Sequence, residues 1–144
     1  AGTLAKIIAK TYPGAKIVGV EIDPVIVDIG KRFFGLSEIK NLKIVVANAA
    51  SWIREIKSHN GFDLIAVDTY LGDKFPKSCQ TDRFFKKLSQ ILSRNGFIIF
   101  NVLADKIHLF EARNFLDKTR KIFNDVRRIK VNKNWLISIH SPVD

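Results

Sequence analysis

Short apolar runs in this sequence end, one after another, in side chains that can hydrogen-bond a ligand or move a proton. KIVGVEI (16–22) ends at Glu21 with Asp23 just beyond, and LKIVVAN (42–48) ends at Asn48. FDLIAVD (62–68) ends at Asp68, followed by Thr69 and Tyr70, and GFIIFNVL (96–103) carries Asn101 near its end. In open α/β sheets, ligands bind beyond the carboxyl ends of the strands, so four polar tips in succession mark a candidate binding edge.

Each tip suggests its own chemistry. Glu21, 19 residues beyond Gly2, can accept hydrogen bonds from both hydroxyls of a ribose. Its alternative role, capping the next helix, suits Asp23 better, because Asp23-Pro24 reads as an N-cap followed by proline at the first helical position. The Asn48 amide both donates and accepts, which suits an adenine edge or a cap on the following helix. Ile22 and Ala49 flank these two as further contacts of the same ligand. Asp68 could bind a cationic ligand or take a proton from an amine, or merely cap a loop. Tyr70 could wall the pocket or lie against a cation. Asp73 is a second acidic contact or a turn residue after Gly72. Ala1-Gly2-Thr3 reads as the tail of a glycine-rich loop that opens a helix, where free N–H groups and the helix dipole favour a polar ligand. His59, His108 and His140 are scattered without metal-ligand spacing, and no metal is expected. Trp52 and Cys79 read as ordinary packing residues.

The elements that must position these tips alternate. Helical spacing appears over 3–12, stopped by Pro13-Gly14, then over 24–34, 51–58, 81–93 and 107–123. The helix over 81–93 is expected to bury Phe84, Phe85, Leu88, Ile91 and Leu92, with Asn95-Gly96 ending it. The one over 107–123 is expected to carry Leu109, Phe110, Phe115, Leu116 and Ile122 on its apolar side. Asn60-Gly61 reads as a turn. The near-continuous apolar runs at 62–68 and 96–103 belong to strands covered on both faces, as in parallel sheets. DVRRIKV and NWLISIHS flank Asn132-Lys133-Asn134 and should form an antiparallel hairpin. Strand and helix alternating through four units predict an α/β fold with a doubly wound, Rossmann-like sheet.

Composition sets bounds. The 144 residues are 47% apolar and 26% charged, which predicts a single globular domain over 1–144. No apolar run approaches the roughly 20 residues that span a bilayer. The single cysteine excludes an intrachain disulfide or a cysteine metal site, and the default setting is cytoplasmic. There is no methionine, not even at position 1, so the sequence is expected to lack its native start. The net charge of +10 is concentrated toward the end, with 9 basic and 4 acidic residues over 106–144. A solvated lysine-rich surface accounts for it; nucleic acid is left open as a partner without being favoured.

Together these residues resemble the spermidine synthase (polyamine aminopropyltransferase) family and its methyltransferase-like relatives. The matching pieces are AGTLAKI, VEIDPVIVDIGKRFF, VVANAASWI, FDLIAVDTYLGDKFP and FFKKLSQILSRNGFIIFNVL, in family order over most of residues 1–103. The resemblance implies the class I S-adenosylmethionine-dependent methyltransferase fold. It places Glu21 on the ribose of the adenosyl ligand, Asn48 at a position where the family contacts adenine with an acid, and Asp68 at the aspartate that deprotonates the attacking amine. The implied reaction is an SN2 displacement at a carbon attached to sulfonium, from S-adenosylmethionine or its decarboxylated form to a small-molecule amine. Alignment of nucleophile and carbon does most of the work in such a reaction.

The departures from the family pattern are specific. Asp-Ser-Ser-Asp-Pro is usual where this chain has Asp68-Thr69-Tyr70-Leu71-Gly72-Asp73, so the second acid is missing at its usual spacing. The family's small N-terminal β domain is not among these residues. Class I folds have seven strands with the first at the centre, and six are visible here. The chain is therefore expected to begin just after that first strand and to bind the adenosyl ligand weakly by itself. A methyltransferase acting on a small molecule, protein or RNA is the alternative, as is a non-catalytic relic of the fold. An NAD-dependent dehydrogenase also uses an acid at Glu21's position, but the terminal hairpin disfavours it. A homodimer is compatible with all of these readings.

Overall fold

The computed structural model describes residues 2–57 and 61–140. Ala1 of the proposed glycine loop, His59 and Asn60 of the expected turn lie outside the described residues. The chain divides into two compact units, Ala1–Trp52 and Ile53–Asp144, and each is described by itself.

The first unit is built around a parallel strand pair. Helix α1 (Thr3–Thr11) precedes strand β1 (Ile17–Glu21), then helix α2 (Pro24–Phe33), a 3-10 turn (Leu36–Glu38) and strand β2 (Leu42–Val46). β1 and β2 pair in register from Ile17↔Leu42 to Glu21↔Val46, the arrangement that a helical crossover imposes. The Asn41 amide donates to the Ala15 carbonyl at 2.6 Å and so fastens the start of β2 to the entry of β1. Asp23 caps α2, its Oδ1 accepting from the Val25 N–H at 2.8 Å with Pro24 next to it. Val27 of α2 and Leu36 are the buried apolar residues here. Helix α3 (Ala49–Glu55) starts and ends earlier than the expected 51–58.

The second unit carries a mixed sheet. Strand β3 (Phe62–Val67) leads through a 3-10 turn (Lys77–Gln80) to helix α4 (Asp82–Ile91) and strand β4 (Leu92–Leu103). Helix α5 (Leu109–Ile122) and strands β5 (Val126–Val131) and β6 (Asn134–His140) complete it. The sheet order is β3-β4-β6-β5. β3 and β4 are parallel, while β6 is antiparallel to both β4 and β5. The expected terminal hairpin is present, and its turn is two residues long, since Val131 pairs with Asn134 and Asn132 takes a left-handed φ of 54°, as such turns require.

Aromatic rings fill the core beneath this sheet. Phe85, Phe100 and Phe115 meet edge to face, with centroids 5.1–5.7 Å apart, a geometry favoured by the ring quadrupole. Leu88, Ile91, Ile98, Ile137 and Ile139 close around them. Two expectations are corrected here. Asn95-Gly96 does not end a helix, because α4 stops at Ile91 and β4 already runs through both residues. A Cβ at Gly96 would lie 2.7 Å from the Phe62 carbonyl oxygen, so glycine lets the two strands approach. Phe110 does not join the core either. It is 72% exposed, and α5 instead buries Ala112, Phe115, Leu116 and Thr119. Among the described residues, no helix is long and apolar enough to cross a membrane.

Candidate active site

In the first unit, Glu21 and Asn48 leave the same, carboxyl end of the β1–β2 pair. The Ala47 N–H still donates to the Glu21 carbonyl at 2.9 Å, and Asn48 follows directly. The half-buried Glu21 carboxylate accepts the Asp23 N–H on Oε1 at 3.0 Å. Since Asp23 caps α2, Glu21 keeps Oε2 without a hydrogen bond to any described residue. Ile22, beside it, is 52% exposed. Asn48 Oδ1 accepts the Ser51 N–H at 3.1 Å, the capping role open to it from the sequence, which leaves its Nδ2 as the end available to a ligand. Ala49 begins α3. Gly2 caps α1 with φ 73° and no side-chain hydrogen bond. The left-handed backbone favours glycine there, and a Cβ would also have to displace the Leu36 side chain.

In the second unit, the site residues gather where β3 and β4 end. Asp68 follows the last residue of β3 and is exposed. Its Oδ1 accepts from Asn101 Nδ2 at 2.9 Å, and Asn101 Oδ1 accepts from Asn134 Nδ2 at 2.7 Å. The other Asp68 oxygen has no hydrogen bond to a described residue. Next to it, the Thr69 hydroxyl is the one buried side-chain polar atom without a partner among the described residues. Such an atom usually has a partner in a working protein, from a ligand or water.

Tyr70 is tied down by its hydroxyl. β4 pairs with β3 only as far as Val67↔Phe100, and the Tyr70 hydroxyl takes up the next backbone groups. It donates to the Asn101 carbonyl at 3.0 Å and accepts the Leu103 N–H at 2.6 Å. Burial pushes its phenol above the ordinary value of 10.0 and nearby Asp68 adds to this, while the Leu103 N–H works the other way. Its ring meets Phe75 edge to face at 5.8 Å.

Asp73 also has a partner. Its Oδ2 lies 3.2 Å from His108 Nε2, and His108 Nδ1 lies 2.8 Å from Asp105 Oδ1. Both ring nitrogens thus face carboxylates, which only the imidazolium can satisfy as a double donor. The Asp105 bond, seconded by Asp73, raises the His108 pKa above 6.5, and the same bond lowers that of Asp105 below 3.8. Asp105 Oδ1 further accepts the N–H groups of Ile107 and His108, both at 3.0 Å, which orders the entry to α5.

Of the three residues expected on one loop, Asp68 and Tyr70 are tied to the end of β4, while Asp73 meets His108 at the entry to α5. Asn134, Asp105 and His108 join them without having been singled out from the sequence. Asp105 and His108 did carry a local signal, an aspartate three residues before a helix-start histidine, typical of a turn that caps. Asn134 carried none.

This strand order with its terminal antiparallel hairpin, and the polar strand tips, define an α/β domain of the class I methyltransferase type. The chain belongs to the spermine/spermidine synthase domain family, whose model matches residues 2–132. It is 26% identical over 133 residues to a polyamine aminopropyltransferase of Vibrio vulnificus (strain CMCP6), covering 90% of this chain and 43% of that protein. It is also 26% identical over 119 residues to the eEF1A lysine and N-terminal methyltransferase of Mus musculus, covering 77% of this chain and 17% of that protein. The human methyltransferase-like protein 13, solved in complex with SAH, superposes with a TM-score of 0.80 at 21% identity, over 96% of this chain and 66% of that one. The chain thus spans less than half the length of the curated relatives it matches.

Proposed function

We propose that this chain forms the adenosyl-binding part of a transferase that moves an aminopropyl group from decarboxylated S-adenosylmethionine to an amine. The observation that carries the reading is the Asp68 carboxylate, set at the tip of β3 with one oxygen held by Asn101 and the other open. The groups present suit an adenosyl ligand. Glu21 Oε2 is an open acceptor for a ribose diol, Asn48 Nδ2 is a donor for an adenine edge, and Thr69 offers an unpartnered hydroxyl.

The adenosyl sulfonium supplies the electrophilic carbon. Asp68 accepts a hydrogen bond from the attacking amine and aims its lone pair. As the new C–N bond forms, the C–S bond breaks, the thioether leaves with its electron pair, and the open oxygen of Asp68 takes the proton lost by the ammonium. General-base catalysis of this kind contributes about 10²–10⁴-fold. Glu21 and Asn48, at the carboxyl end of the β1–β2 pair, are the groups that would bind the nucleoside.

Methyl transfer is a second reading, favoured by one observation. Asp73, the other carboxylate of the loop, is taken by His108, so the loop offers a polycationic acceptor fewer anions than Asp68 and Asp73 would together. The test is to incubate the full chain with S-adenosylmethionine or its decarboxylated form and a panel of amines, and to read products by mass spectrometry. Aminopropylated product, lost about 10²-fold or more in Asp68→Asn, supports the first reading. Methylated product alone supports the second, and no product with either donor removes both.

A further inference from the structure

We infer that Asn134 is a positioning residue, which acts through the Asn101 amide to fix the orientation of the Asp68 carboxylate. The catalytic consequence rests on the reading above; the relay itself does not. A primary amide has one donating and one accepting end. The Asn134 NH2 occupies Asn101 Oδ1 at 2.7 Å, so the Asn101 NH2 must face Asp68 Oδ1, which it meets at 2.9 Å. Turning the Asn101 amide over would set two NH2 groups against each other at Asn134 and two oxygens against each other at Asp68. Asp68, which can only accept, calls for that same NH2 end, and the Asn134 bond at the other end of the Asn101 amide holds it in place.

Asn134 is well anchored for this work. It opens β6, pairs across to Leu103 on β4 and to Val131 on β5, and follows a two-residue turn. Asn101 sits on β4, whose end is fastened by the Tyr70 hydroxyl. Asp68, by contrast, lies just past β3 and is exposed, so its side chain owes its orientation to this bond. With Oδ1 engaged, Oδ2 is the oxygen left for a substrate proton.

The relay has a signature that a merely structural asparagine would lack. No direct hydrogen bond joins Asn134 to Asp68, so any coupling between them must pass through Asn101. The experiment is a double-mutant cycle on the full chain, combining Asn134→Ala with Asp68→Ala and reading the unfolding equilibrium, first with Asn101 present and then in an Asn101→Ala background. The relay predicts a coupling of about threefold or more in the unfolding constant, as residues of one hydrogen-bond network show, and its disappearance once Asn101 is truncated. Asn134→Ala should also lower kcat about tenfold while leaving KM for the adenosyl donor within about twofold, because it misaims the proton acceptor without touching the nucleoside. Additive effects at 134 and 68, or coupling that survives Asn101→Ala, overturn the relay. Coupling through Asn101 in a chain that turns over no donor upholds the relay and removes the transferase reading instead.

Discussion

The Tyr70 hydroxyl lies 2.6 Å from the backbone nitrogen of Leu103 and continues, with a side chain, the hydrogen bonding that β3 stops providing at Val67. It serves two backbone groups at once, since it also donates to the Asn101 carbonyl. Tyr70→Phe keeps the ring against Phe75 and strands both groups. The expected loss is about 1–3 kcal/mol of stability, read as a lowered denaturant midpoint at unchanged slope. A midpoint equal to that of the unchanged chain would remove the hydroxyl from the account.

The His108 clamp should be visible in pH dependence. Its folded pKa is raised, by Asp105 first, so its stabilising contribution is fully present below the unfolded value of about 6.5 and is lost as pH rises through the folded value. Asp105 runs the other way. Its lowered pKa gives a contribution present above the unfolded value of about 3.9, lost as pH falls through the folded one. Melting temperatures between pH 5 and 9 should therefore decline on the alkaline side more in the unchanged chain than in His108→Gln. Parallel curves would show that the clamp contributes nothing.

Glycine positions differ sharply in what they tolerate. In Gly96→Ala the new Cβ meets the Phe62 carbonyl at 2.7 Å and finds Leu92 and Ser93 atoms at 2.9 Å. Backbone cannot yield cheaply, so a loss of about 1–3 kcal/mol is expected. Gly14→Ala meets nothing within 4 Å and should be neutral or stabilising by up to about 1 kcal/mol. Thermal unfolding of the two variants side by side decides it, and equal melting points would refute the steric argument.

Glu21→Ala should weaken binding of the adenosyl donor to the full chain about 10–100-fold, the worth of about 1.4–2.8 kcal/mol, and leave melting nearly unchanged because Asp23 holds the α2 cap by itself. Isothermal calorimetry reads the first and a thermal melt the second. Undiminished affinity would take Glu21 out of the site.

Much of this was legible from the chain. Asp23-Pro24 announced the start of α2 because a cap and an N1 proline act locally, and the apolar runs ending in Glu21, Asn48 and Asp68 gave the strand tips in order. Asn95-Gly96 misled for the opposite reason. Its local turn chemistry is overridden by the close approach of β3 and β4, a tertiary fact. Phe110 kept helical spacing yet faces outward, since α5 is turned to bury Ala112 and Thr119. Asp73 and His108 are 35 residues apart, and Asn134 reaches Asn101 across 33. Pairings at such range have no signature in composition or period, so the partners of the candidate site emerged only with the fold.

The fastening of Tyr70 to β4 has an evolutionary corollary. Asp68 is held from behind by Asn101, and Tyr70 by the end of β4, whereas Leu71 and Gly72 beyond them are exposed. Of these two, Leu71 can be exchanged without touching the Asp68 bond, whereas Gly72 holds a left-handed φ of 64° that favours glycine. Under the proposed transfer, the exposed Leu71 is the position where acceptor preference can change while the Asp68–Asn101 bond is left intact.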